Sequence, residues 1–162
     1  MAVDPNNSTI ATNRSARHNY LLDDEYECGI VLRGSEVKSL REAQAQISEA
    51  FGQMSGGELF LHNLHIGAYS HAQRHSGHAP LRVRKLLLHR RELDRIARRL
   101  QTERVSLVPT RLYFKDGKVK VTIAVGIGRT KADKRQDIAR READSEARRE
   151  IGRALKRRIA VE

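Results

Sequence analysis

Leu112-Tyr113-Phe114-Lys115-Asp116-Gly117-Lys118-Val119-Lys120-Val121-Thr122-Ile123-Ala124-Val125 reads as two strands joined by a tight turn. In the second strand Val119, Val121, Ile123 and Val125 alternate with Lys118, Lys120, Thr122 and Ala124, so one face is buried and the other wet. Asp116-Gly117 is a preferred two-residue hairpin turn, because both positions tolerate positive φ. The first strand extends back to Val105, and the pair is expected to form an antiparallel hairpin. Upstream, Ser55-Gly56-Gly57 between Ile47–Met54 and Glu58–Ile66 predicts a second hairpin, and Tyr26–Leu32 is apolar and β-branched enough for a buried strand. After Gly34 the pattern turns helical, with Ser35 as a candidate cap and Val37, Leu40 and Gln44 on one face. Leu86, Leu93, Ile96, Ala97 and Leu100 also fall at helical spacing, which predicts a helix over Leu86–Leu100. Five or six short strands with one or two helices suggest a mainly β fold closed into a small barrel, which removes sheet edges and can offer a face to nucleic acid.

Composition narrows the function. The chain has 162 residues, with 31 Lys and Arg against 20 Asp and Glu, a net charge of +11. An excess of that size favours a polyanionic partner, because every phosphate neutralised releases condensed counterions. A membrane surface is the poorest such partner, since aromatic residues are 4% and Trp is absent. The plain alternative is charge that serves solubility alone. Cys28 is the only cysteine, so no intrachain disulfide is expected, and a reducing, cytoplasmic setting is the simplest reading.

Three segments are expected. Residues 1–12 (Asp4-Pro5-Asn6-Asn7-Ser8-Thr9 among them) read as a disordered leader, residues 13–130 as the domain, and residues 131–162 as a basic tail. The tail holds 11 Lys and Arg against seven Asp and Glu and no aromatic residue. Ala143, Ala147, Ile151, Leu155 and Ile159 fall four apart and draw a thin stripe on a possible helix. Two alanines and three aliphatics bury too little to hold that helix alone. Periodicity leaves two readings open: a helix packed on the domain, or a tail that orders only on its partner.

Few residues suggest chemistry. Glu27 and Glu36 are two carboxylates without a paired nucleophile; an ion pair of Glu36 with Lys38 or Arg41 is the expected role. His62 and His65 are three apart, so on one strand they would face opposite ways, and His71, His75 and His78 sit in a Ser/Gly-rich segment, Tyr69–Ala79, expected to be a loop. No regular zinc spacing is present, so neither metal nor cofactor is expected. Three consecutive leucines, Leu86-Leu87-Leu88, exceed what one helical face buries, so one should face outward, flanked by Arg82, Arg84 and Lys85.

Asn13-Arg14-Ser15-Ala16-Arg17-His18-Asn19-Tyr20, Glu27-Cys28-Gly29-Ile30-Val31-Leu32-Arg33-Gly34-Ser35-Glu36-Val37-Lys38-Ser39-Leu40-Arg41 and Asp133-Lys134-Arg135 occur in order and spacing that resemble the SsrA-binding protein family. The resemblance implies an oligonucleotide-binding-like barrel of about six strands with flanking helices. It also implies a non-enzymatic, monomeric partner of transfer-messenger RNA that carries this RNA to stalled ribosomes. Glu27 matches the family's RNA-facing glutamate, and Asn13 and Leu87 match residues grouped with it. Lys38 and Gly128 match further positions of that surface. With neighbouring bases, the implied RNA-binding set is Asn13, Arg14, Glu27, Lys38, Arg84, Lys85, Leu87, Gly128 and Arg129. Asp133, Lys134 and Arg135 match the triplet that engages small-subunit ribosomal RNA at the decoding centre, with Asp133 a candidate helix cap. For the tail, the resemblance favours disorder in the free protein and a helix on the ribosome. Ile127 and Ala132 depart from the family's usual basic and ring-bearing residues. Two alternatives stand beside this one: a general RNA-binding or ribosome accessory protein, and a metal- or carboxylate-dependent nuclease using the histidines or Glu27 and Glu36.

Overall fold

The computed structural model describes residues 6–71 and 77–160. In chain order its elements are β1 (Asn7–Thr12), α1 (Ala16–Asn19), β2 (Tyr20–Ile30), α2 (Gly34–Arg41), β3 (Ala45–Gln46), β4 (Phe51–Ser55) and β5 (Glu58–His62). There follow β6 (His65–Ile66), β7 (Arg84–Leu87), α3 (Arg90–Thr102), β8 (Ser106–Lys115), β9 (Lys118–Gly128) and α4 (Lys131–Ile159). The fold is mainly β: seven strands form one antiparallel sheet in the order β1-β8-β4-β5-β7-β2-β9, with β8 also pairing β9, while β3 and β6 pair separately. The described chain divides into two units, one ending at Gly128 and the other beginning at Arg129.

The β8–β9 hairpin follows the alternation in the sequence. Val119, Val121, Ile123 and Val125 are all buried, and Asp116 and Gly117 take the left-handed turn at φ 49° and 76°. Gly56 and Gly57 do the same for β4–β5, at φ 58° and 78°. Leu59, Leu61, Leu86, Leu112, Val121 and Ile123 are fully buried at the centre of the core, and Leu93 and Ile96 of α3 belong to it. Each such side chain contributes about 1.5–3 kcal/mol by leaving water.

Several expectations are corrected. Asn7–Thr12 is not part of a disordered leader; it pairs antiparallel with β8 from Asn7↔Lys115 to Thr12↔Arg111, so its backbone groups are satisfied by a sheet partner. Residues 1–5 of that leader lie outside the described residues. The predicted helix over Leu86–Leu100 begins only at Arg90, because Arg84–Leu87 is a strand held between β5 and β2. Ser35 does not cap α2. Arg33 occupies the cap position at φ −85°, ψ 158°, and Glu36 closes the box by accepting from the Arg33 backbone N–H at 2.8 Å. The Ser35 hydroxyl instead hydrogen-bonds His78 Nδ1 at 2.9 Å, while His78 Nε2 donates to the Ile66 carbonyl at 3.0 Å.

Glu36 is paired, but with neither Lys38 nor Arg41. Its carboxylate is fully buried and receives Arg82 at 2.5 Å together with the Arg84 Nε–H. Burial pushes the Glu36 carboxyl up, yet the hydrogen bonds from Arg82, the Arg33 backbone and Arg84 outweigh it, and the net shift is downward. Arg84, also fully buried, donates from Nη1 to the Leu64 carbonyl at 2.5 Å and from Nη2 to the Pro80 carbonyl at 3.2 Å. This network ties α2, the β5–β6 connection and β7 together.

Candidate nucleic-acid interface

Glu27 points outward from β2, between the buried Tyr26 and Cys28. Register then lays out its surroundings. Glu27 lies opposite Thr122, which lies opposite Arg111; Gly29 lies opposite both Lys120 and Leu87, and Lys120 lies opposite Tyr113. Directly opposed residues in antiparallel strands share a face. Glu27, Leu87, Lys120 and Arg111 therefore form one outer surface across β7, β2, β9 and β8, with Tyr113 on the same side of the sheet but itself buried. Gly29 matters there, since a Cβ would stand 3.3 Å from Leu87 Cβ; its absence lets Leu87 lie low across β2.

The Glu27 carboxylate is fixed from one side. The Tyr113 hydroxyl donates to Oε2, and Lys115 Nζ donates to Oε1 at 3.0 Å and to Oε2 at 3.2 Å. The Tyr113 hydrogen bond, followed by Lys115, holds the Glu27 carboxyl below its usual value, while burial and then Glu27 raise the Tyr113 phenol. Arg111 stacks over the Tyr113 ring with its guanidinium carbon 4.1 Å from the centroid. The result is an acceptor that is ionised at neutral pH, inside a cationic frame of Lys115, Lys120 and Arg111. Such a group repels bare phosphate and accepts N–H or O–H donors from a base edge or ribose. In Tyr113→Phe the Glu27 carboxyl pKa should rise toward its ordinary value of 4.5, as read by carboxyl-carbon NMR titration; an unmoved titration would remove Tyr113 from this role.

The leucine run resolves by strand alternation. Leu86 is fully buried and Leu87 is 52% exposed, beside Gly29 on the Glu27 face. Lys85, two residues before Leu87, also faces outward, with its ammonium 3.8 Å from Glu58. Arg84 is a correction: its guanidinium is fully buried and bonded to Glu36 and two carbonyls, so it does not present itself to a phosphate at the surface. Asn13 is 7% exposed and committed inward. Its backbone N–H donates to the Thr110 carbonyl at 2.8 Å and its Nδ2 to the Pro109 carbonyl at 3.0 Å, while its Oδ1 accepts from Ser15. Pro109 and Arg111 flank a bulge in β8, so Asn13 satisfies carbonyls that the ladder leaves free. Arg14 lines a groove with Arg17, Arg111 and Thr122, next to the Glu27 face. Lys38 stands apart on α2, with its ammonium 5.5 Å from the Tyr69 ring centroid. Gly128, opposite Tyr20, is exposed, and a Cβ there would meet nothing within 4 Å.

In the second unit, Thr130 rather than Asp133 caps α4. The Thr130 hydroxyl accepts from the Asp133 N–H at 3.2 Å, and the Asp133 carboxylate accepts from the Thr130 N–H at 3.0 Å. The Thr130 side chain, then its backbone, hold the Asp133 carboxyl below its ordinary value. Asp137 gathers Arg129 at 3.8 Å, Arg140 at 3.0 Å and Arg141 at 2.8 Å. Arg135 is exposed, and so are Ile138, Ile151, Leu155 and Ile159.

The histidines divide. His62 closes β5 and His65 opens β6; His78 is buried in its hydrogen bonds, and His71 is exposed beside Ser70. His75 and part of the expected loop fall on residues 72–76, outside the described residues. Among the described residues no cluster of His, Cys, Asp or Glu is placed to hold a metal, and no helix is long and apolar enough to cross a membrane. Sequence reasoning missed Arg111, Tyr113 and Lys115, although their alternation on β8 marked them as one face.

Known proteins bear on this geometry. The family described as SmpB protein matches residues 10–153. The SsrA-binding protein of Mycolicibacterium smegmatis is 51% identical over 154 residues, covering 95% of this chain and 95% of that protein. The SsrA-binding protein of Nocardia farcinica is 52% identical over 147 residues, covering 91% of each. A chain from the structure described as "tmRNA-SmpB: a journey to the center of the bacterial ribosome" superposes with a TM-score of 0.63 at 36% identity, over 79% of this chain and 93% of that one. With the match running from β1 into α4 and half of the residues shared with SsrA-binding proteins, the chain belongs to the SmpB, or SsrA-binding, protein family.

Proposed function

We propose that this chain binds the tRNA-like domain of transfer-messenger RNA and delivers it to stalled ribosomes for trans-translation. Family membership over nearly the whole chain carries this reading, and the Glu27 face supplies a physical basis for it. RNA is told from DNA by its 2′-hydroxyls and by unstacked bases, both of which offer donors to an ionised carboxylate and apolar faces to a side chain such as Leu87. Arg14, Lys85, Lys120 and Arg111 supply the phosphate term. The body is an oligonucleotide-binding-like barrel of about six strands, a reading supported by β8 pairing with β4 on one side and β9 on the other. The protein acts as a monomeric RNA adaptor in the cytoplasm and performs no chemistry itself; peptidyl transfer belongs to the ribosome.

Asn13 contributes by holding the β8 bulge, which sets Arg111 beside Glu27. Lys38, Gly128 and Arg129 extend the contact along the RNA. Asp133, Lys134 and Arg135 engage small-subunit ribosomal RNA in the empty decoding centre. Although the tail forms the helix α4 here, we propose that this helix melts in the free protein in solution and is held as a helix on the ribosome. Its exposed Ile138, Ile151, Leu155 and Ile159 support this, since a helix that buries no apolar face is held by propensity and capping alone.

Glu27→Ala tests the recognition step. Affinity for the tRNA-like domain should fall by about tenfold or more, the range of a charge-assisted hydrogen bond of about 1.5–3 kcal/mol. Far-ultraviolet circular dichroism should be unchanged, because the side chain is outside the core. Undiminished binding by filter retention would show that the RNA is held elsewhere.

A further inference from the structure

The outer face of β4, β5 and β7 carries rings that the Glu27 site does not use. Phe51 lies opposite His62, and the two rings stack at 5.2 Å between centroids with their planes 7° apart. Phe51 is 43% exposed on a sheet surface whose inward-facing partners, Leu59 and Leu61, are fully buried. Phe60 stands two residues before His62, hence on the same face, and lies opposite Lys85. Lys85 in turn stands two residues from Leu87. An unbroken outward path therefore runs from the Phe51–His62 pair through Phe60 and Lys85 to Leu87, the apolar residue beside Glu27.

We infer that the Phe51–His62 pair is a stacking platform for an unpaired nucleobase of the same transfer-messenger RNA, a second subsite beyond the Glu27 face. This rests on the function proposed above. The occupant follows from three observations. The two rings stack with nearly parallel planes, so the pair continues as a stack if a base lies on the exposed side of Phe51, and every nucleobase has a complementary face. Half-exposed rings on a sheet of a strongly basic chain, with Lys85 opposite Phe60 on the same face, match a ligand that is aromatic and anionic together, as a nucleotide is. The path to Leu87 is continuous along one face, so a strand that leaves Glu27 reaches Phe51 without crossing the fold. Phe51 also walls a groove with Asn19, Tyr20 and Ser106, whose amide and hydroxyl groups can meet a ribose or a base edge.

The test uses the absence of tryptophan from the chain. Phe51→Trp places a single indole on the platform, and its emission should be quenched as the tRNA-like domain is titrated in, saturating with the affinity seen by filter retention. Phe51→Ala, in the full-length protein, should lose about tenfold in affinity for that RNA, within the range for one base–aromatic stack. Phe51→Trp should bind at least as tightly as the unsubstituted chain. Unchanged emission at saturation, with Phe51→Ala binding normally, would overturn the subsite; so would quenching by ribosomes but not by the tRNA-like domain. Glu27→Ala in the same assay separates the two ideas. If it weakens binding while Phe51 variants do not, the platform fails and the proposed function stands. If the unsubstituted chain does not retain the RNA at all, the proposed function fails first.

Discussion

Deletion of everything after Thr130 should leave binding to the tRNA-like domain largely intact at physiological salt and abolish tagging of nascent chains on stalled ribosomes. The expectation follows from the division of the chain after Gly128 and from what each part presents. The first unit carries the Glu27 face and has its own buried core. The second is a helix of 29 residues in which Asp137 is the buried residue, so its loss removes almost no core. Residues 131–162 carry 11 basic and seven acidic residues, so the truncated protein loses a net +4. Part of the non-specific phosphate term goes with it. The salt dependence of RNA binding should therefore flatten modestly while affinity near physiological ionic strength is kept. Filter retention and a reconstituted tagging reaction measure the two halves. Loss of RNA binding to the same degree as in Glu27→Ala would refute the division of labour, and tagging by the truncated protein would refute the role of the tail.

Glu36→Gln should destabilise the first unit by about 3–5 kcal/mol, because it leaves the buried Arg84 guanidinium without its counter-charge. That is a large share of a typical domain's stability, and urea unfolding would report it as a lower midpoint with an unchanged slope. Replacing Glu36 and Arg84 together by apolar residues of similar size should recover much of the loss, since no bare charge then remains in the core. The pH dependence has a definite sign. The folded-state carboxyl of Glu36 lies below its ordinary value of 4.5, so the stabilisation is present above that value and is lost as pH falls through the lower folded value. Stability of the unsubstituted protein should decline on the acid side, and Glu36→Gln should flatten that decline. A midpoint shift equivalent to less than about 1 kcal/mol would assign the network a minor structural role.

The reason these residues were only partly legible lies in the range of their interactions. The β8–β9 hairpin is written locally, in a period of two and an Asp-Gly turn, and it forms where the pattern puts it. Leu86-Leu87-Leu88 is locally ambiguous: a short apolar run suits a strand or a helix, and the choice is made by β5 and β2 on either side. Arg84 looks in sequence like any other basic residue near a candidate RNA contact. Its real partner, Glu36, is 48 positions away, and no periodicity announces a pairing of that kind. The same holds for Asn13, whose acceptor on Pro109 is 96 positions distant, and for Phe51, which meets His62 only through the hairpin register. Glu27 and Leu87 stand out in the sequence only through their place in a family motif. Tyr113 and Lys115, which fix the Glu27 carboxylate, become evident only when β8 and β9 bring them to β2.

The central claim is specific recognition of one RNA, and competition binding tests it most directly. Labelled tRNA-like domain of transfer-messenger RNA is held by the full chain at physiological salt and challenged with excess unlabelled elongator tRNA. Fixed salt is essential, because a chain of net charge +11 retains any RNA at low ionic strength. The label should stay bound. Displacement by elongator tRNA as effectively as by the unlabelled tRNA-like domain would contradict it and leave a general RNA-binding protein in its place.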